Sequence, residues 1–197
     1  MIDRAYCRMM ARYNAWQNKA LWDVFQTMTD AELSAKIASP HGSVLGAVNH
    51  LLWLDRMWLS RLYAIKPPAK DLSESTTLTP DIRAWWLDRF RTDGALRMWA
   101  DTLNSVDLLE QIAFWSISLE QDIILQKDAC VMHMFNQQTD QRAVIRTHLA
   151  AMGRELPSVN LFETPPARPV SLPACGDQNR WACGGSWPRD VMLRATD

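Results

Sequence analysis

The chain has 197 residues, 48% hydrophobic and 22% charged, enough to bury the core of one globular domain with some residues left over. Its 21 Lys plus Arg against 22 Asp plus Glu leave a formal charge of −1, so there is no electrostatic footprint for nucleic-acid binding. The best candidate for a membrane span, Val44 to Trp58, is interrupted by Asn49, His50, Asp55 and Arg56, which excludes the roughly 20 apolar residues in a row that a span requires.

Met1 to Met10 carries Asp3, Arg4 and Arg8 without an apolar h-region, so no secretory signal is read and a cytoplasmic location is expected. Glycine is scarce before residue 160, and long helices should dominate there. The first is predicted from about Asp3 to Met28, with Tyr6, Met9, Met10, Tyr13, Trp16, Ala20, Val24 and Phe25 recurring at three and four. Thr29 to Glu32 reads as a capping box that opens a short helix. After the break at Pro40, His41 and Gly42, Ser43 caps a second long helix that runs to about Tyr63. A polar connector follows, and Thr79 as N-cap with Pro80 at the first helical position starts a third helix to about Leu103, weakest at Gly94. Between Ser105 and Lys127 two readings stand: a short helix over Ser105 to Ile112, and an extended stretch where Phe114, Ser116 and Ser118 alternate with Trp115 and Ile117. Asp128 caps a last long helix that stops at Gly153.

Four long amphipathic helices are most economically buried as an all-α four-helix bundle over residues 1–163. Residues 164–197, rich in Pro and then Gly, read as an irregular or disordered tail. Cys7, Cys130, Cys175 and Cys183 contain no CxxC pair, so neither a zinc knuckle nor a disulfide framework is indicated. Cys7 and Cys130 are expected to be buried thiols. Tryptophan is over-represented, at 10 residues, and each indole N–H needs a partner. Such a core should hold amphipathic pockets. No Gly-rich phosphate loop, G-x-S-x-G elbow or HExxH motif is present.

Three segments, Ala11 to Asn18, Val48 to Trp58 and His133 to Arg142, together with Leu156 to Phe162, resemble the DinB-like family in the expected order. The resemblance covers roughly residues 1–163 and implies a small four-helix bundle, often dimeric, with no polymerase chemistry. It also implies a divalent metal held by three histidines. Here the first stands as His50, but Gln137 and Gln141 occupy the positions of the H-x3-H pair and Asp140 the position where a further histidine is common. An amide oxygen is a weaker and harder donor than imidazole nitrogen, so these ligand positions should hold a transition metal far less tightly.

His133, Gln137, Gln141, Val144 and His148 share one flank of the last helix. His133 and His148 are separated by about 22 Å of rise and cannot bind one ion. The preferred expectation is that Gln137 and Gln141 hydrogen-bond to His50 and to each other, filling the space a metal would take. Tyr13, Asn14, His133 and Asp140 are the further pocket candidates; Asp140 is more simply a surface charge, and Asp55-Arg56 more simply an anchor between helices.

Two functions follow from the resemblance. The first is metal-free binding of a small molecule or partner, with a role in stress response. The alternative is a hydrolase, or a low-molecular-weight-thiol transferase or isomerase, that uses zinc, nickel, iron or manganese at His50. No catalytic residue is assigned. A homodimer is expected from the resemblance and from Trp85 and Trp86, whose other reading is burial within the third helix.

Overall fold

The structure is a computed structural model that describes residues 2–63, 65–104, 106–117 and 119–166. The tail expected from residue 164 onward, including Cys175 and Cys183, lies outside the described residues from residue 167. One compact unit spans Met1–Pro165.

Helix α1 spans Arg4–Phe25, α2 Asp30–Ser34, α3 Val44–Leu62, α4 Ile82–Thr102 and α5 Lys127–Ala151. The four long helices pack in the cyclic order α1, α4, α3, α5. Their starts and stops follow local chemistry. Asp3 caps α1 through the Tyr6 N–H, and Ser43 caps α3 through the Gly46 N–H. Thr29 and Glu32 form the reciprocal capping box of α2. Gly153, at φ 70°, lies just beyond the end of α5, where its missing Cβ permits the left-handed turn.

Two expected caps are different. Thr79 does not cap α4, because its hydroxyl donates to Asn49 Oδ1 at 2.7 Å and is thereby spent on α3. Asp81 takes over, its carboxylate accepting from the Arg83 and Ala84 N–H groups. Likewise Asp128 lies inside the first turn of α5, whose N-cap is Gln126. There the carboxylate faces the positive end of the helix dipole. Gly94 does not interrupt α4.

The undecided stretch before α5 is a short 3-10 turn, Asp107–Leu109, followed by a β-hairpin. Strand β1, Gln111–Ser116, pairs antiparallel with β2, Gln121–Gln126, in a register that places Phe114 opposite Ile123 and Ile112 opposite Leu125. Period-two alternation turns Ile112 and Phe114 toward the helices and leaves Trp115 and Ile124 exposed.

The core consists of two apolar clusters. One contains Cys7, Trp58, Leu96, Trp99 and Phe135; the other contains Leu21, Phe25, Leu51, Trp85 and Leu149. Each long helix contributes to both, so the order of its contributions gives its direction. Helices α1 and α5 run one way, and α3 and α4 run the other. Trp85 is fully buried, donates its indole N–H to Val48 O at 3.0 Å and meets Phe25 edge-on, so it offers no surface for a second copy. Trp86 is half-buried and stacks on Trp22 with centroids 5.1 Å apart.

Between the two clusters lies a buried polar layer. Asn14 and Asn18 of α1, Asp55 of α3, Arg89 and Asp93 of α4, and Gln138 and Arg142 of α5 form it. Arg89 binds Asp55 at 2.6 Å and Asp93 at 2.7 Å. Asn14 and Asn18 donate to Asp93, Gln138 donates to Asp55, and Arg142 donates to Asn14 Oδ1. Arg89 is compensated by two carboxylates, the condition under which a charge survives burial, whereas Arg142 touches only the neutral Asn14. Burial opposes the Arg89 charge, but Asp93 and Asp55 outweigh it and keep its pKa above the ordinary range. Burial also raises Asp93, which shares that single cation with Asp55.

Candidate functional site

The Asn49-His50-Leu51 run of α3 carries three separate tasks. Asn49 is fully buried and pins the connector before α4, donating to Thr76 O and Thr79 O and accepting from Thr79. Leu51 enters the core. His50 turns its Nδ1 to the hydroxyl of Ser75 at 2.9 Å, in the 3-10 turn Leu72–Thr77 of the same connector. Trp53, one turn on, adds an indole bond to Lys70 O at 2.7 Å.

The other face of His50 meets a residue that spacing rules do not single out. His41, from the loop before α3, stacks on it with ring centroids 4.5 Å apart and planes 24° from parallel. His41 Nε2 lies 3.1 Å from Gln141 Oε1, and since an amide oxygen only accepts, Nε2 carries the proton. Gly46 makes this loop position possible, because a Cβ there would stand 2.0 Å from His41 O. Burial lowers the pKa of both rings. His50 falls to about 4, with His41 contributing second, while for His41 burial and the nearby His148 outweigh the Gln141 bond. Both imidazoles are therefore neutral near pH 7.

Gln137 goes elsewhere. Its Oε1 accepts the Trp58 indole N–H at 3.0 Å. His133, one turn earlier on α5 and exposed, meets the same Trp58 edge-on at 5.6 Å. The expected direct bonds from Gln137 and Gln141 to His50 and to each other are not made; the two amide oxygens accept from Trp58 and His41 instead. Asp140 is exposed and receives only a long 3.4 Å contact from the Gln141 amide. Tyr13 donates its hydroxyl to Val159 O at 2.8 Å, holding the closing segment, and Asn14 belongs to the polar layer.

These donors fit a divalent transition ion poorly. Both Gln carbonyl oxygens already accept hydrogen bonds, and of the three family ligand positions only His50 offers imidazole nitrogen. Among the described residues no group of three or more His, Cys, Asp or Glu is arranged to hold a metal ion. The two described thiols, Cys7 and Cys130, are not poised nucleophiles either. Burial, and then Asp3, pushes Cys7 up to about 12, and burial raises Cys130.

His133 and Gln137 border a cavity of about 430 Å³ between α3, the hairpin and α5, within the range of small-molecule sites. Met57, Trp58, Phe114 and Leu125 give it apolar walls. Arg61 lies over the Phe114 ring at 4.0 Å and the Trp58 ring at 5.0 Å, with one long 3.4 Å bond to Trp115 O. Burial lowers its pKa. The sequence leaves the hairpin segment undecided between a short helix and an extended stretch, so of this cavity's lining only His133 and Gln137 are named there as pocket residues.

A family model described as the DinB family matches residues 1–169, and the chain belongs to that family. No curated protein matches it significantly. No helix among the described residues is long and apolar enough to cross a membrane.

Proposed function

We propose that this member of the DinB family binds a small molecule without a metal ion, in the cavity between α3, the hairpin and α5. The observation that carries this reading is the fate of the ligand positions. Gln137 and Gln141 spend their carbonyl oxygens on Trp58 and His41, while Gln137 and His133 stand at the edge of an aromatic-walled cavity. The polar side chains that line it are Arg61, Gln137, His133 and Ser116, of which the Arg61 guanidinium and the Gln137 amide offer N–H donors. The ligand class that suits them is a compact, neutral, largely aromatic molecule bearing one carbonyl acceptor.

The test has two arms. Full-length protein is dialysed against zinc, nickel, manganese and iron, and its metal content is measured by elemental mass spectrometry. Well under one equivalent per chain is expected; one equivalent that His50→Ala removes would overturn the metal-free reading. Binding of 2-acetonaphthone is then measured by ligand-observed NMR. Arg61→Met should weaken it about tenfold, as loss of a charge-assisted hydrogen bond does. Equal affinity in Arg61→Met and in Ala129→Trp, which fills the cavity from α5, would refute the assigned site.

A further inference from the structure

A second cleft, of about 540 Å³, lies between α1, α5 and the closing segment and shares no lining residue with the cavity beside the hairpin. Its polar wall is formed by Arg142 and Arg146, one turn apart on α5. Its apolar wall is Ala143, Ala150, Leu156 and Val159. Neither arginine forms an ion pair among the described residues, in a protein where Arg89 has two.

Arg142 is only 4% exposed. It donates to the neutral Asn14, and its Nη2, though buried, has no hydrogen-bond partner among the described residues. Burial pushes its pKa down to about 10, with Asp55 and Asp93 opposing but not in contact. Arg146 gives Nη1 to Pro157 O at 2.6 Å. The remaining polar groups of the cleft are already committed: Tyr13 to Val159 O, Gln17 to Ser158 O, Thr139 to Phe135 O and Thr147 to Ala143 O. No carboxylate lines it. A buried guanidinium with a spare donor and no anion is under-compensated, and a bound anion would repair that.

We propose that this cleft binds a small organic carboxylate, paired with the partly exposed Arg146 and drawn by the buried charge of Arg142 behind it, with an apolar body against Ala150, Leu156 and Val159. A planar arginine fork matches a carboxylate bidentately, and the apolar wall selects against inorganic anions.

Benzoate binding to the full chain is measured by ligand-observed NMR, with benzamide and inorganic phosphate as competitors. Benzoate should bind at one site, at least about tenfold more tightly than either competitor, the margin of one charge-assisted contact. Arg146→Gln should weaken benzoate at least about tenfold while the protein still unfolds cooperatively, which avoids disturbing Arg142 in the core. Ala143→Trp, introduced at an exposed position of α5, should abolish binding by filling the cleft. Arg61→Met should leave it unchanged. The proposal fails if benzoate does not bind, if benzamide or phosphate competes as an equal, or if binding survives both Arg146→Gln and Ala143→Trp.

Discussion

Replacing Arg89 by Met tests the buried polar layer most directly. Arg89 is fully buried and lies 2.6 Å from Asp55 and 2.7 Å from Asp93, which are themselves 1% and 6% exposed. Methionine approximates the stem of the side chain but carries no charge, leaving two carboxylates served only by the amides of Asn14, Asn18 and Gln138. Removing one partner of a buried ion pair costs about 3–5 kcal/mol, and this cation serves two. The total stability of a domain is about 5–15 kcal/mol, so the loss should be large in urea unfolding at pH 7.5. The sign of its pH dependence is also fixed. Asp93, already raised by burial, must climb further in the variant, and a carboxylate with a raised folded-state pKa loses stability as pH rises. The deficit should therefore shrink between pH 7.5 and 5.5. The triple variant Arg89→Met, Asp55→Asn, Asp93→Asn, neutral throughout, should recover much of the loss. A single variant within about 1 kcal/mol of the parent, or a deficit that widens on acidification, would refute this account of the layer.

The stacked histidines make a second prediction. His50 titrates at about 4 when folded and near 6.5 when unfolded, and His41 is shifted the same way, so the unfolded chain binds more protons in that window. Their contribution should be complete above about pH 6.5 and decline as pH falls toward 4. The full His50 shift corresponds to about 3 kcal/mol, and screening at a half-buried ring leaves about 1–2 kcal/mol. His50→Gln should flatten the urea-stability profile over that range; an unaltered slope would show that the rings do not titrate as described. Gly46→Ala should cost about 1–3 kcal/mol, because its Cβ meets the backbone oxygen of His41 at 2.0 Å and neither is on a flexible side chain. Urea unfolding at pH 7.5 checks this, and a stability equal to the parent would contradict the close approach.

The helices were legible because their signals are local. The Thr29–Glu32 box, the Ser43 cap and Gly153 each act within one turn, and all three stand where the sequence placed them. Thr79 shows the limit: its own neighbourhood reads as an N-cap, but Asn49, thirty residues earlier, claims its hydroxyl. Of the polar layer only Asp55 is legible as an anchor between helices, because a search for apolar stripes treats other polar residues as surface. A signal existed: Arg89 and Asp93 interrupt the stripe of α4 between Trp85 and Leu96, and Asn14 and Asn18 interrupt that of α1 between Ala11 and Leu21. His41 carried no comparable signal, since a loop has no period. Its partnership with His50 depends on the close approach at Gly46.

The same layer explains why the ligand positions part company. Gln138 and Arg142 lie four residues apart on α5 and are fixed in the core by Asp55 and Asn14, which sets the roll of that helix. Gln137 and Gln141 each precede a fixed residue by one position, about 100° round the helix, and so both emerge at the boundary of the core. They are then separated along α5 by one turn. At the level of Gln137 the facing side chain of α3 is Trp58, a donor; at the level of Gln141 it is the loop residue His41, also a donor in its Nε2–H form. A histidine at either position with its acceptor nitrogen turned inward could satisfy the same partner and keep one N–H, whereas an amide keeps two. Gln137 is therefore held at the cavity wall by the bond that its carbonyl accepts from Trp58.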